Sequence, residues 1–579
     1  MSDESLPLKI VLCWHMHQPY YLDPYTDRYI LPWTYLHAIK DYVDMAWYLE
    51  NIDGARAVVN FTPTLIEQIE DYASDIGGFT SIWSRRSFTK GGQLKDPLLS
   101  ALVATGVPDT DTAVDVMHAC LKANQQRLID RYEPYSKLAE FARWLVKHPE
   151  NIEYIRHNFI SDLVVWYHIA WFGETIKRES CLLKYLIAKK NNFSYRDRFS
   201  LLKLIGKTIR RLVPRYKKLH QKGRVELSVT PYGHPIMPLL LDMRSASEAW
   251  PEVQLPHQTQ YPGGQERARW HIRQGLEVFE KSFGFIPEGC WPAEGGVCDA
   301  TLELLHDAGF RWIATGESVL KNSAAHHANE NTGPEYCVHT QYQFRNTIKC
   351  FFRDDGLSDE IGFTYSDWHG DDAVANLVHH LKNIKGAQQD LKNSIVSIIL
   401  DGENAWEYYP DNGFYFLSAL YKELGSNPAF ELVTFGQHVQ DASLDALQLN
   451  HVVAGSWVYG TFSTWIGSPD KNHAWDLLRE AKLVFDEWYT KGNASGVRKR
   501  RAEHQLAICE ESDWFWWFGD DNPQGSVRDF DELYRKQLSY LYYLMDKEVP
   551  ETLQHPISHG GGNALAGGVM RPGKLSYGG

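Results

Sequence analysis

Two carboxylates stand out by residue type and place: Glu294 in Trp291-Pro292-Ala293-Glu294 and Asp401 in Asp401-Gly402-Glu403. Each follows an apolar run that reads as a strand, and each lies near a tryptophan. Breaking a glycosidic bond needs two carboxyl groups, one to protonate the leaving oxygen and one to attack or to activate water. Either acid alone reads equally well as a helix cap, since acids are favoured at helix N-termini. Together, beside histidines and aromatics at other strand ends, they read as a site. His15 and His17 form an H-x-H at the end of the first apolar run, and His234 in Gly233-His234-Pro235 follows another. Such histidines can hydrogen-bond a sugar, ligate one metal ion as in metal-dependent barrel hydrolases, or sit satisfied in a core. No lysine stands in a bridging position and Gln18-Pro19 follows the pair, so sugar contact is the preferred reading. No metal or other cofactor is expected. The competing reading is a metal-dependent amidohydrolase or deacetylase built on His15, His17, His234 and Asp401. A glucan-binding protein without catalysis is a further alternative.

The elements that must position these residues are short β-branched runs separated by amphipathic stretches. The runs are Lys9–Trp14, Ala57–Phe61, Val225–Thr230, Phe310–Thr315, Thr347–Phe352, Ile395–Leu400 and Leu432–Phe435. Most are continuously apolar, as in strands buried on both faces, and helical patterns such as Arg269–Ser282 and Asp372–Lys385 lie between them. That alternation predicts an α/β fold with a parallel sheet, and seven strands over this length predict a barrel with insertions. Residues 110–222 read as a helical insertion. Its end is basic (Lys203, Lys207, Arg210, Arg211, Arg215, Lys217, Lys218), which reads as a solvated helix face. The barrel region is placed at 1–440 and a C-terminal helical domain at 441–550, with helices over 470–490, 498–511 and 527–547. Residues 551–579 read as a disordered Gly-rich tail.

Composition narrows the partners. A net charge of −14 disfavours nucleic acid and anionic membrane, which call for basic surfaces. The N-terminus lacks a basic segment followed by an apolar one, so cytoplasmic residence is the default expectation. The 8 cysteines are scattered, without a C-x-x-C pair, which suggests neither a zinc ribbon nor a disulfide framework. With 20 Trp and 31 Tyr the chain is rich in flat apolar faces bearing a polar tip, which suit sugar rings or a large core.

Five short segments, in order, resemble those of glycoside hydrolase family 57. They are His17-Gln18-Pro19, Gly233-His234-Pro235-Ile236-Met237-Pro238, Trp291-Pro292-Ala293-Glu294, Asp401-Gly402-Glu403 and Ser512-Asp513-Trp514-Phe515-Trp516. The resemblance implies a (β/α)7 barrel with a C-terminal helical domain, and retaining cleavage of α-1,4 or α-1,6 glucosidic bonds in starch- or glycogen-type glucans. It implies Glu294 as nucleophile and Asp401 as acid/base, in an α-amylase or amylopullulanase type of enzyme. A 4-α-glucanotransferase or branching enzyme is the alternative on the same scaffold. The expected substrate contacts are His15, His17, Gln18, His234, Trp291, Arg353, Gly370, Glu403, Trp457, Asp513, Trp514 and Trp516. Pro292 directly after Trp291, and Gly316 before Glu317, depart from the family pattern and put only a minor subsite role in doubt.

Overall fold

The computed structural model describes residues 6–83, 93–106, 108–155, 157–329, 336–491 and 495–562. Seven strands form its centre: β1 (Leu8–Met16), β2 (Ala57–Phe61), β3 (Val225–Val229), β4 (Gly289–Cys290), β5 (Trp312–Thr315), β6 (Lys349–Phe352) and β7 (Ile395–Asp401). They lie in the order 7-1-2-3-4-5-6, each parallel to its neighbour. Between β6 and β7 the sheet is joined by single hydrogen bonds. The Asp354 N–H donates to the Ser397 carbonyl and Arg353 Nε to that of Ile399, both at 2.8 Å. This curled parallel sheet with helices around it is the (β/α)7 architecture.

Two elements depart from expectation. The two-residue strand β4 is not among the expected runs. The run Leu432–Phe435 is not a strand: Phe430–Leu432 pairs with the start of β1, and a helix begins at Phe435. Thr434 and Gln437 cap that helix reciprocally, which fixes the chain as a helix start at the point where the apolar run continues.

The strands alternate between two environments. Val11, Cys13, Val58, Trp312, Ala314, Phe351, Ile395 and Ile399 pack together with Trp291, Val433 and Phe435 as a small cluster of their own. Their neighbours Ile10, Leu12, Val59, Ile313, Val396 and Ile398 belong to the large cluster shared with the helices. Side chains of a strand alternate faces, so the small cluster is the barrel interior. Following each inward series toward the strand C-terminus, apolar gives way to polar: Val11-Cys13-His15-His17, Val58-Asn60-Thr62, Phe351-Arg353 and Ile399-Asp401. The polar positions form the mouth of the barrel.

Helices Thr110–Leu121, Glu133–Lys147, His157–Trp171 and Tyr195–Gln221 are the main elements of the insertion. In the last of these Leu201, Ile205, Ile209 and Leu212 are buried, whereas Lys203, Lys207, Arg210 and Arg211 are exposed. Helices Pro469–Lys491, Gly496–Cys509, Ser512–Trp517 and Gln524–Leu544 follow the barrel and pack on it. A buried ion pair ties them down: Arg267 Nη2 and His271 Nε2 each lie 2.7 Å from Glu510 Oε2. Residues 551–562 are not a disordered tail. Leu553 and Ile557 are buried, and Asp531 accepts the N–H groups of Ile557 (2.7 Å) and Ser558 (3.1 Å). Residues 563–579 lie outside the described residues. Among the described residues no helix is long and apolar enough to cross a membrane.

Candidate active site

A cavity of about 490 Å³ opens at the barrel mouth, and both Glu294 and Asp401 line it. They come from β4 and β7, on opposite sides of the strand ring. Asp401 is the last residue of β7, paired in register with His15 of β1. Burial pushes its carboxyl up to about 6, against a partial offset from the Asn404 hydrogen bond (3.2 Å) and the charges of His17 and Arg353. A Cβ on the next residue, Gly402, would press on the Met16 sulfur and force that side chain to move.

Glu294 sits in a tight turn with φ 55° and ψ 27°. A non-glycine residue in the left-handed region costs on the order of 1–3 kcal/mol, and such strain concentrates at functional sites. Trp457 holds the turn by two bonds. Its backbone N–H donates to the Glu294 carbonyl at 3.0 Å and its indole N–H to Oε2 at 2.8 Å. One face of the carboxylate is thus fixed, and Oε1 lies 3.9 Å from His234 Nε2.

Three stacked imidazoles lie beneath the cavity, with His15 and His17 forming its floor. The His17 and His234 rings stack with centroids 3.8 Å apart and 18° between planes. His15 Nδ1 meets Asn60 Oδ1 at 2.7 Å, and its Nε2 meets His234 Nε2 at 3.2 Å. Burial lowers His15 to about 3 and His234 well below the ordinary value, so both are neutral at neutral pH. His17 Nε2 lies 3.0 Å from both oxygens of Asp513, which the C-terminal helices bring over the barrel. His17, His234 and Asp513 therefore offer three ligand atoms within 4.8 Å of one another. The stack argues against a shared ion: a ring nitrogen's lone pair lies in the ring plane, so stacked rings aim their lone pairs side by side rather than at one point.

A sequence profile of Glycosyl hydrolase family 57 matches residues 11–450. The chain belongs to that family. A search of curated proteins finds no match. Solved structures of similar fold include the GH57-type branching enzyme of Pyrococcus horikoshii (15% identity, 93% of this chain and 90% of that chain covered, TM-score 0.56). They also include a GH57 branching enzyme of Thermococcus kodakaraensis (13%, 93% and 90%, TM-score 0.57) and an α-amylase of Thermotoga maritima (15%, 93% and 97%, TM-score 0.51).

Within this family 57 site the expected contact residues divide. His15, His17, Gln18, Arg353, Glu403, Trp457, Asp513 and Trp516 line the cavity with the two carboxylates. Four others do not. His234 lies behind the floor with both nitrogens engaged, Nδ1 with Ser512 Oγ at 2.9 Å. Trp291 is fully buried and packs edge-on against Trp457 at 5.1 Å, so it backs the residue that holds Glu294. Gly370 begins an outer helix, where a Cβ would press on the Phe416 backbone. Trp514 is fully buried, donating from Nε1 to the Ile508 carbonyl at 2.8 Å beside Tyr534. Trp514→Ala is therefore expected to cost stability, about 3–5 kcal/mol as for other buried Trp truncations. Thermal melting checks this, with the loss of activity equal on short and long substrates.

Two lining residues act as braces. Arg353 spends its donors on Ile399 O, Asp355 (2.8 Å) and Asp359 (2.6 Å). Glu403 Oε1 accepts from the His17 N–H (3.2 Å), Gln18 Nε2 (3.2 Å) and Tyr42 OH (3.1 Å). Burial, then the Asp401 charge, hold the Glu403 carboxyl well above its usual range. Further lining residues went unpredicted: Trp33, His37, Trp171, Glu407, Trp517 and Phe530. Only Trp517 carried a signal, as part of the aromatic run after Asp513.

Proposed function

We propose that this family 57 enzyme cleaves α-glucosidic bonds of starch- or glycogen-type glucans by double displacement, in the manner of an α-amylase or amylopullulanase. Glu294 attacks the anomeric carbon while Asp401 protonates the leaving oxygen. Asp401 then takes the proton of the incoming water, which releases the sugar from Glu294. The observation that carries this reading is the division of labour between two carboxyls in one cavity. Asp401 is half-buried and desolvation raises it to about 6, fit to carry a proton, whereas Trp457 orients Glu294 by a hydrogen bond to one oxygen. His17 and Asp513, which line the same cavity, then hydrogen-bond sugar hydroxyls.

A second reading, transfer to another glucan, draws on the aromatic wall of Trp33, Trp171, Trp517 and Phe530. An apolar wall favours a sugar ring over water as the group that resolves the intermediate. Incubation with maltoheptaose, with products separated over time, distinguishes the two. Shorter products alone support hydrolysis, added longer products support transfer, and no turnover of any α-glucan contradicts both. The stacked histidines add an expectation: full activity after dialysis against a chelator. Loss of activity restored by zinc would favour the amidohydrolase reading instead.

A further inference from the structure

The first helix after β1 carries a polar group that the chemistry above leaves unused. Helix Trp33–His37 runs into a π-helical turn, Ala38–Tyr42, and such turns recur at functional sites. The turn brings three charged or titratable side chains together. Asp41, fully buried, accepts from Lys40 Nζ at 2.8 Å on one oxygen and from His37 Nδ1 at 2.7 Å on the other. A carboxylate on Nδ1 fixes the tautomer, leaving Nε2 with its lone pair when the ring is neutral. Among the described residues Nε2 has no hydrogen-bond partner, and the ring lines the cavity. One indole stands against it and a second against the first. Trp171 stands perpendicular to the His37 ring at 5.7 Å, and Trp33 lies 5.7 Å from Trp171; both line the cavity.

The neighbours of this cluster place it. Tyr42, one residue past Asp41, donates to Glu403 at 3.1 Å, and Glu407, six residues after Asp401, lines the cavity within reach of the charges of Lys40, His37 and Asp41. Glu294 is held elsewhere, by Trp457 and near His234. The oxygen that leaves is the one Asp401 protonates, so the sugar attached to it starts on the Asp401 side of the cavity, the side on which Glu403, Glu407 and this cluster lie.

We propose that His37, Trp33 and Trp171 form a sugar subsite on the leaving-group side of Asp401, in which His37 Nε2 accepts a hydrogen bond from a glucan hydroxyl. This rests on the α-glucan reading above. The buried Lys40–Asp41 pair then has a purpose, since it holds the imidazole in one orientation toward the cavity. Lys40 and Asp41 act as positioning residues.

The test compares kcat/KM on maltoheptaose with that on 4-nitrophenyl α-maltotrioside, whose leaving group carries no sugar hydroxyl. His37→Ala should lower the ratio of the two values roughly three- to tenfold, about the worth of one neutral hydrogen bond. His37→Gln, which keeps an acceptor, should recover part of it. Trp33→Ala, at a half-buried position, should lower the same ratio and serves if the His37 variants do not fold. Equal losses on both substrates with a lowered melting temperature, or an unmoved ratio, would overturn the subsite. If the wild-type enzyme turned over neither substrate, the α-glucan reading itself would fail, a result distinguishable from an unmoved ratio.

Discussion

Glu294→Gln is expected to lower kcat/KM on maltoheptaose by at least about a thousandfold, or roughly 4 kcal/mol of transition-state stabilisation. The amide cannot form the covalent bond to the anomeric carbon, and it removes the negative charge that faces the developing oxocarbenium ion. The fold should not change. The side chains are nearly isosteric, and an amide oxygen can still accept from the Trp457 indole N–H, which lies 2.8 Å from Oε2. The left-handed backbone at residue 294 is kept by the Gly295 N–H bond to the Pro292 carbonyl and the Trp457 N–H bond to the Glu294 carbonyl rather than by the carboxylate. Kinetics together with a melting curve check both halves. Activity within about tenfold of wild type would remove Glu294 from the nucleophile's role.

The second large effect is a pH dependence centred on Asp401. Burial raises its carboxyl from 3.8 to about 6. The protonated form is the acid that the first step consumes, so Asp401 should set the alkaline limb of kcat/KM, a fall of about tenfold per unit above pH 6. The sign for stability is the same. A carboxyl whose pKa is raised in the folded state binds its proton more tightly there than when unfolded. Its contribution is present in acid and is lost as pH rises through about 6. Asp401→Asn should abolish this alkaline limb and slow maltoheptaose cleavage by about a hundredfold or more, the usual worth of general acid catalysis. Glycosyl fluorides, which need little protonation to leave, should suffer far less in the first step. A limb that persisted unchanged in Asp401→Asn would assign the titration to another group, such as Glu403.

The barrel and the carboxylates at its mouth are legible in the sequence because strands impose a period of two. The series Val11-Cys13-His15-His17 and Ile399-Asp401 pass from interior to mouth, so polar residues at strand ends are functional candidates by position as well as type. The aromatic segment after Glu511 is harder to read. Helix Ser512–Trp517 has only six residues, too few to show which face is apolar, and it buries Trp514 while Trp516 and Trp517 reach the cavity. His234 and Trp291 read as contacts because they neighbour the motifs. They lie one layer back, His234 as the buried member of the imidazole stack and Trp291 behind Trp457. His37, Trp33 and Trp171 have no strand-end position to mark them. The first helix and the insertion bring them to the mouth, and that approach is a property of the tertiary fold.

The central claim is a covalent intermediate on Glu294. Asp401→Asn incubated with α-maltotriosyl fluoride tests it most directly. Fluoride leaves without an acid, but water then attacks without a base, so the intermediate should accumulate. Mass spectrometry of the intact chain should show one added maltotriosyl group, and peptide mapping should place it on Glu294. A label on a different residue, or fluoride release with inverted product and no label under any condition, would contradict the account.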